Sequence, residues 1–218
     1  MTIKQQQLPS DEQISSALSG FQLQLSTGQM AKVREYVRLL LKWNQSISLT
    51  SVLDPMEIVA RHFGESMFLS CLIPVEKRRL ADLGTGAGFP GLALKIACPT
   101  LQVTLIESNK KKCAFLSEVV RTLEMKNVEV LPVRFEEIRN SADFVEIVTA
   151  RALGDFSKIL RWAKSSLAHR GHVVLWLGGE DVSKLSSMSG WLWQPAVKIP
   201  DSQRRFVVIG RPLPEEQS

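Results

Sequence analysis

The most informative segment of the chain is a glycine-rich stretch that runs from Asp82 to Gly91. A short apolar run, residues 80–83, leads into it, and Pro90 is placed to open a helix behind it. Glycines allow the backbone to turn sharply and to approach a ligand closely, and the first turn of the following helix offers N–H groups to an anion. The pattern therefore predicts a strand, a ligand-binding turn and a helix, in that order.

Two spacings overlap in this stretch and indicate two different cofactors. Gly86, Gly88 and Gly91 satisfy G-x-G-x-x-G, the pattern of dinucleotide-binding turns. Asp82 with Gly84, Gly86 and Gly88 gives D-x-G-x-G-x-G, the form used by S-adenosylmethionine enzymes, where the bound anion is the methionine carboxylate. Asp82 favours methyl transfer. In addition, nothing in the chain supplies an evident hydride-transfer partner or substrate domain, which argues against an oxidoreductase. An NAD-dependent oxidoreductase stays as the less favoured alternative.

An acidic residue follows the glycine turn at the distance that a nucleoside site requires. Glu107 ends the second predicted strand, 19 residues after Gly88. A doubly wound sheet places an acid there to bind ribose hydroxyls. Both candidate cofactors contain a ribose, so Glu107 predicts a nucleoside site without choosing between them.

The second half of the chain alternates short apolar runs with amphipathic stretches. Strands are predicted near residues 80–83, 103–107, 128–132, 145–150, 172–177, 196–199 and 206–209. Helices are predicted at 91–97, 110–124 and 156–168, with another after Gly179. This alternation predicts an α/β fold with a mostly parallel, doubly wound sheet of about seven strands. Only residues 200–203 separate the last two runs, which predicts a closing antiparallel hairpin.

Residues 1–75 carry helical signals instead. Two capping-box patterns and one proline at a first helical position mark three helix starts. These signals are Ser10 with Gln13, Ser26 with Gln29, and Asp54 with Pro55. We expect residues 1–75 to form a helical cap on a core of residues 76–212, with 213–218 as a tail, packed as a single structural unit.

Composition excludes several classes of protein. The chain has 218 residues, of which 44% are hydrophobic and 22% charged, as in a soluble globular protein. No apolar run reaches the roughly 18 residues of a membrane span, and the N-terminus has no apolar segment of a secretory signal. Three scattered cysteines without a C-x-x-C pair argue against disulfides and a zinc ribbon. We expect a cytoplasmic protein without a metal site, and a monomer because no spare amphipathic element is left over.

The net charge of +5 is unevenly distributed. Residues 1–75 are balanced, whereas residues 76–218 hold 21 Lys and Arg against 16 Asp and Glu. Small basic clusters lie at residues 77–79, 110–112 and 204–205. An excess of this kind suits a polyanionic partner such as nucleic acid, because binding phosphates releases counterions. For any single cluster, an ordinary solvated surface is the somewhat favoured interpretation.

Several short sequence motifs lie between residues 35 and 210. They are Trp43-Asn44, Leu49-Thr50, Arg61-His62-Phe63 with Glu65-Ser66, the stretch 82–91, Glu107-Ser108-Asn109-Lys110-Lys111, Phe115-Leu116, Arg134-Phe135-Glu136-Glu137, Ala150-Arg151-Ala152, and Arg204 with Val207-Val208-Ile209. With them the chain resembles the bacterial RsmG (GidB) methyltransferases, which place a methyl group on N7 of a guanine in 16S rRNA. The glycine turn with Phe89-Pro90-Gly91, joined to the upstream Arg-His-Phe, is far more specific than a generic methyltransferase signature.

The resemblance implies a class I S-adenosylmethionine methyltransferase whose last strand is antiparallel. Together with the glycine pattern it assigns the cofactor to Asp82, Gly84, Thr85, Gly86, Gly88, Phe89, Glu107, Phe135, Glu136 and Arg151. The implied substrate is a guanine in the decoding-region loop of 16S rRNA, free or in the small ribosomal subunit. The residues expected to bind this RNA are Arg61, His62, Lys110, Lys111 and Arg204. For His62, packing with a satisfied ring nitrogen is a comparable alternative.

The expected reaction limits what Arg151 can do. Guanine N7 has a free lone pair at neutral pH, so no general base is required and positioning can supply most of the catalysis. Arg151 follows the fourth predicted strand, at the edge where a doubly wound sheet keeps its ligands. A donor aimed at N7 would block the nucleophile. We therefore expect Arg151 to act as the catalytic residue by contacting guanine O6, a phosphate or the methionine carboxylate; a surface arginine is the alternative.

The chain also departs from the family pattern. Family members often have Asp at positions 65 and 146 and Ser at position 150. A Lys-Gly pair commonly follows their fifth strand, whereas here Trp176-Leu177-Gly178-Gly179 contains no lysine. The missing lysine is the one feature that favours a non-catalytic, nucleoside-binding ribosome-assembly factor as a further alternative.

Overall fold

The structure is a computed structural model that describes residues 7–138, 144–151 and 154–214. Within these residues, eight strands form one sheet with the order β3-β2-β1-β4-β5-β8-β6, and β7 pairs with β8. The strands are β1 Arg79–Leu83, β2 Gln102–Ile106, β3 Val128–Leu131, β4 Val145–Arg151, β5 Leu167–Gly178, β6 Trp191–Trp193, β7 Val197–Lys198 and β8 Arg205–Pro212. Strands β1 to β5 are parallel, and β8 runs antiparallel to its neighbours. The predicted doubly wound sheet and closing hairpin are confirmed.

The register of the central strands sets the position of three predicted site residues. Leu83, the last residue of β1, lies opposite Ile106 of β2 and Ala150 of β4. Neighbouring strands lie about 4.8 Å apart. Gly84, Glu107 and Arg151, which each come next in the chain, therefore emerge side by side at the carboxyl edge of the sheet.

Helices cover both faces of the sheet and create two hydrophobic cores. One face carries α6 (Gly91–Ala97) and α7 (Lys110–Thr122), and the other carries α8 (Phe156–Ser166) and α9 (Gly179–Ser186). Successive strand residues alternate between the cores, as expected for a pleated strand: Val173 belongs to the second core and Val174 to the first. No helix in the described parts of the chain is long and apolar enough to cross a membrane.

The N-terminal helices pack on the face that carries α6 and α7. They are α1 (Asp11–Ser19), α2 (Thr27–Asn44), and a stretch made of α3 (Pro55–Ile58), a π-helical segment (Val59–Gly64), α4 (Glu65–Met67) and α5 (Leu69–Leu72). Both predicted capping boxes are formed, and Asp54 caps α3 with Pro55 at its start. Their buried side chains belong to the same core as those of the sheet.

The structure differs from the predicted elements at the far edge of the sheet. Helix α8 ends at Ser166, before the predicted end at residue 168, because β5 begins at Leu167 and pairs with β4 at Val145. Strand β6 was not predicted, since three residues are too few to show alternation. Its Trp193 ring covers Gly210, where a side chain would collide with it. Most of the predicted tail, residues 215–218, lies outside the described residues.

Candidate active site

A cavity of about 510 Å³ opens at the carboxyl edge of β1, β2 and β4. It lies where the register places Gly84, Glu107 and Arg151. Its walls are formed by Leu49, His62, Gly84, Thr85, Gly86, Ala87, Phe89, Ile106, Glu107, Ser108, Lys112, Val133, Arg134, Phe135, Glu136 and Arg151. The cavity thus collects residues from the cap, the glycine turn and the ends of three strands, in a volume suited to a small-molecule ligand.

The glycine turn depends on backbone conformations that side chains rarely adopt. Gly84, Gly86 and Gly88 have φ values of +59°, +60° and +86°. At Gly88 an added Cβ would lie 2.2 Å from the hydroxyl oxygen of Tyr36 in α2. That hydroxyl donates a 2.6 Å hydrogen bond to the carbonyl of Ala87. The turn is therefore held from behind by the cap while its front faces the cavity.

Asp82 supports the turn from below and is completely buried. Its carboxylate accepts hydrogen bonds from Thr85 Oγ1 at 2.5 Å, Gly91 N at 2.9 Å and Thr149 Oγ1 at 2.9 Å. Burial raises the pKa of Asp82 to about 6, although these hydrogen bonds oppose the shift. The Gly91 N–H, expected to face an anion, is thus already bound. Asp82 and Gly88 lie behind the cavity wall that the described residues form.

Glu107 presents a preorganised carboxylate to the cavity. One oxygen accepts the Gly86 N–H at 3.0 Å, and the other accepts the Asn109 N–H at 2.8 Å. The side chain is largely buried, so its orientation is fixed. A carboxylate oxygen has a second acceptor site, and two ribose hydroxyls could donate to these. The donor set therefore fits a nucleoside.

Another part of the cavity wall combines apolar and acidic groups. A single 3₁₀ turn, Phe135–Glu137, follows β3 and places Phe135 and Glu136 beside the cavity. Ile106 and Val133 line the same cavity, and the Phe135 ring also packs edge-on against Trp162 at 6.4 Å. Apolar walls of this kind suit a flat purine ring. The residues present therefore fit S-adenosylmethionine.

Arg151 is largely buried at the end of β4 and is held by the cap. Its Nη2 donates to the Arg61 carbonyl at 3.0 Å and to Glu65 Oε2 at 3.3 Å, and its Nη1 donates to Ser66 Oγ at 3.4 Å. Burial lowers the pKa of Arg151, which the carboxylate of Glu65 opposes. Glu65 Oε1 also forms an ion pair with Arg205 Nη2 at 2.8 Å. The guanidinium is thus a fixed cation at the cavity wall.

His62 lines the cavity from the π-helical segment, a feature that often marks functional sites. Its ring lies 4.9 Å from that of Phe89, and its Nε2 lies 2.7 Å from Thr50 Oγ1. Burial, with the charges of Arg151 and Arg61, lowers the pKa of His62 to about 3. The imidazole is therefore neutral near pH 7.

The predicted RNA-binding residues take several positions around the cavity. Arg61 directly precedes His62 in the chain and forms an ion pair with Glu57 at 2.6 Å. Lys110 and Lys111 are exposed in the first turn of α7, which Asn109 caps. Arg204 is exposed directly before β8, and its carbonyl accepts the Gly179 N–H. Of the five predicted RNA-binding residues, the cavity wall of the described structure includes His62 and leaves the other four outside.

Several residues at the site were missed by the sequence analysis. Lys112 and Arg134 line the cavity beside predicted residues, so the basic cluster 110–112 and the motif that begins at Arg134 could have indicated them. Glu65, Tyr36 and Arg205 reach the site only through long-range contacts. No local pattern in the sequence links them to the cavity.

Comparison with known proteins gives a consistent result. Residues 29–188 match the family model described as GidB, rRNA small subunit methyltransferase G. The ribosomal RNA small subunit methyltransferase G of Xylella fastidiosa (strain M23) is 42% identical over 156 residues, which cover 72% of each chain. That of Xanthomonas oryzae pv. oryzae (strain KACC10331 / KXO85) is 36% identical over 203 residues, covering 90% of this chain and 94% of the relative.

Solved structures show the same fold. A SAM-dependent methyltransferase from Aquifex aeolicus has a TM-score of 0.60 at 20% identity, over 72% of this chain and 93% of the other. The tRNA (m1A58) methyltransferase TrmI from Aquifex aeolicus has a TM-score of 0.57 at 17% identity, over 68% of each chain. The comparisons favour neither the dinucleotide interpretation nor a non-catalytic assembly factor.

Proposed function

This chain belongs to the GidB family, the rRNA small subunit methyltransferases G, and from that membership we propose that it transfers a methyl group from S-adenosylmethionine to N7 of a guanine in 16S rRNA. The observation that carries the proposal is the register of β1, β2 and β4. It brings Gly84, Glu107 and Arg151 to one edge, around one cavity. This is the position at which doubly wound sheets bind their ligands.

The cavity walls supply complementary contacts for the cofactor. S-adenosylmethionine supplies a methyl group on a positively charged sulfur. We propose that Glu107 accepts hydrogen bonds from its ribose, because both carboxylate oxygens are fixed by backbone N–H groups. Gly84, Thr85, Gly86 and Phe89 would contact its methionine part, and Phe135 with Glu136 its base. Asp82 and Gly88 would act on the cofactor through the shape of the turn that they hold.

The expected chemistry needs positioning rather than a base. Guanine N7 carries its own lone pair, so the site must hold the ring in line with the methyl group and exclude water. The neutral His62 and the fixed Arg151 cation are compatible with this requirement. We propose that Arg151 contacts guanine O6, a phosphate or the methionine carboxylate, and leaves the N7 lone pair free.

The shape of RNA limits how the guanine can reach the cavity. N7 faces the major groove, which is deep and narrow in an RNA helix and closed to side chains. We propose that the guanine lies in a loop and is turned out into the cavity. Arg61, Lys110, Lys111 and Arg204 would contact the surrounding RNA, whose phosphates complement their charge, and the neutral His62 would contact it from the cavity wall. The decoding-region loop of 16S rRNA, free or in the small subunit, is the proposed substrate.

The assembly state and location of the protein are part of the proposal. We propose a monomer that acts in the cytoplasm, with a cap of residues 1–75 on a core of residues 76–212. The large apolar side chains exposed among the described residues, Leu53, Leu192 and Leu213, support a monomer because they are few. A stable dimer in light scattering without RNA would contradict it.

The decisive experiment measures methyl transfer from labelled S-adenosylmethionine to small-subunit particles and to naked rRNA from a strain that lacks the modification. We expect the label to be released as 7-methylguanine, and the preferred substrate identifies the stage of assembly. Glu107→Gln and Arg151→Gln should reduce transfer while RNA binding, measured separately, is retained. Tight cofactor binding without transfer would indicate another acceptor or a scaffold, and absence of cofactor binding would overturn the proposal.

A further inference from the structure

The cap places a buried acid, Glu65, against Arg151 at the cavity wall, and the proposed reaction does not itself use this acid. We propose that Glu65 is a positioning residue, which holds the Arg151 guanidinium in the orientation that the cofactor and the guanine require. The inference rests on the proposed function, since it takes Arg151 as the group that contacts them.

Glu65 is fixed from three directions. Its side chain is only 2% exposed, and each carboxylate oxygen faces a different arginine. Oε2 lies 3.3 Å from Arg151 Nη2, and Oε1 lies 2.8 Å from Arg205 Nη2. Its backbone carbonyl accepts the Trp176 Nε1–H at 2.9 Å. Contacts to β4, β5 and β8 therefore leave this carboxylate little freedom to move.

Among the described residues, the hydrogen bonds of the Arg151 guanidinium are made to one short segment of the cap. The Arg61 carbonyl, Glu65 and Ser66 accept three of the five guanidinium hydrogens. Among the described contacts, this leaves the remaining hydrogens for the cavity that Arg151 lines. Glu65 is the charged member of the three acceptors. Hydrogen bonds between charged partners are the stronger ones, so Glu65 should dominate the orientation.

The charges around Arg151 show why the acid is needed. Burial lowers the pKa of Arg151, and the positive charges of Arg205 and Arg61 lower it further. The carboxylate of Glu65 is the largest opposing influence. Without it, the buried Arg151 would lack its nearest counter-charge and would turn away from its present position.

A purely structural role is the competing interpretation. Glu65 joins the cap to β4 and β8, and an ion pair that only locks these elements together would affect stability without acting through Arg151. A double-mutant cycle separates the two roles, because coupling to Arg151 appears only if Glu65 acts through it.

The test compares Glu65→Gln in the wild-type protein and in Arg151→Gln. In the wild-type protein we expect kcat/KM for rRNA to fall by up to about 100-fold, because a small misplacement of a catalytic group can cost that much. In Arg151→Gln the same substitution should change kcat/KM by less than about twofold. The dissociation constant for S-adenosylmethionine, measured by calorimetry on the same four proteins, gives the coupling independently of turnover.

Two variants control the experiment. Glu146→Gln removes another Arg–Glu pair, with Arg79, at the opposite end of β4, and should leave kcat/KM within about twofold. Glu65→Asp retains the charge, should fold if Glu65→Gln does not, and should recover most of the lost kcat/KM. If Glu65→Gln does not fold, Glu65→Asp, which has a shorter side chain, takes its place in the double-mutant cycle with Arg151→Gln.

The outcomes distinguish this inference from the proposed function. If Glu65 substitutions cost the same factor with and without Arg151, in turnover and in cofactor binding, the inference is wrong. A lower melting temperature with unchanged kcat/KM would also overturn it and leave a structural ion pair. If the wild-type protein transfers no label to rRNA, the proposed function fails instead, and cofactor binding alone then decides whether Glu65 and Arg151 are coupled.

Discussion

The hydroxyl of Tyr36 donates a 2.6 Å hydrogen bond to the carbonyl oxygen of Ala87, and so joins the N-terminal cap to the glycine turn. The Tyr36 side chain is completely buried, and its ring stacks on Phe89 at 5.4 Å with an interplanar angle of 15°. Burial raises the pKa of Tyr36 well above 10, so the hydroxyl keeps its proton and remains a donor. The cap therefore shapes the cofactor site as well as covering it.

Removal of this hydroxyl should weaken cofactor binding. In Tyr36→Phe the buried Ala87 carbonyl loses its donor, which costs about 1–3 kcal/mol. We expect part of this cost to appear as a dissociation constant for S-adenosylmethionine up to about tenfold higher, equivalent to about 1.4 kcal/mol. Isothermal calorimetry measures the affinity, and urea unfolding measures the stability.

The matched control for Tyr36→Phe is Trp43→Phe. Trp43 Nε1 donates to Glu118 at 2.9 Å, a hydrogen bond between the cap and α7 that does not involve the glycine turn. This variant should lose stability but retain cofactor affinity. Equal loss of affinity in both variants would show that the cap acts only through general stability.

Two glycines of the turn should differ in their tolerance of alanine. Gly86 has φ +60° and the nearest atom to an added Cβ is 3.9 Å away, so Gly86→Ala should cost about 1–2 kcal/mol of unfolding free energy, from backbone strain. Gly88→Ala adds a 2.2 Å collision with the Tyr36 hydroxyl and should cost about 1–3 kcal/mol more. Urea denaturation compares the two.

The collision at Gly88 has its own control. In Tyr36→Phe the colliding oxygen is absent, so Gly88→Ala should be less destabilising there than in the wild-type protein. If Gly88→Ala lowers the unfolding free energy equally in the wild-type protein and in Tyr36→Phe, the Tyr36 hydroxyl is not the group with which the added methyl group collides.

The features that were predictable from the sequence are those encoded locally. The glycine turn, the acid that follows β2 and the capping boxes each depend on residues a few positions apart, and parallel strands bring their ends to one edge. Glu107 and Arg151 could thus be placed near each other before the structure was known. The predicted fold class is confirmed, whereas the assignment of individual site residues stays a prediction.

What could not be predicted depends on long-range packing. Tyr36 reaches Ala87 across 51 positions, and Glu65 reaches Arg151 across 86. Nothing in the local pattern of either residue indicates a partner. The same limit applies to Asp82, since the pattern that contains it is compatible with touching a ligand or with bracing the turn. The structure shows the bracing contacts.

His62 should lower the unfolding free energy between pH 7 and pH 5, whereas Asp82, whose pKa is raised by burial, acts in the opposite direction. The pKa of His62 is about 3 in the folded state and 6.5 as the reference value, so the unfolded chain binds more protons at this residue between these values. The contribution of His62 to the unfolding free energy therefore rises with pH through this window and is lost as the pH falls. From pH 7 to pH 5 we expect a loss of roughly 1–2 kcal/mol from this group.

His62→Gln isolates this effect. The variant should lose less unfolding free energy than the wild-type protein when urea denaturation at pH 5 is compared with that at pH 7. His172, whose pKa burial lowers to about 4, contributes in the same direction but is common to both proteins. Identical pH dependence in the two proteins would mean that His62 is protonated as easily in the folded state as in the unfolded one.

Arg204 should contribute one phosphate contact to RNA binding. Its side chain is exposed, and it directly precedes β8 at the carboxyl edge of the sheet, where the cavity opens. Arg204→Gln should weaken RNA binding and reduce the slope of log K against log salt by about 0.7–0.9, the value for one released counterion. Lys126→Gln, an exposed cation that precedes β3 at the opposite edge, is the matched control and should leave the slope unchanged. If both substitutions reduce the slope equally, RNA contacts the basic surface without regard to the cavity, and the proposed RNA-binding role of Arg204 is wrong.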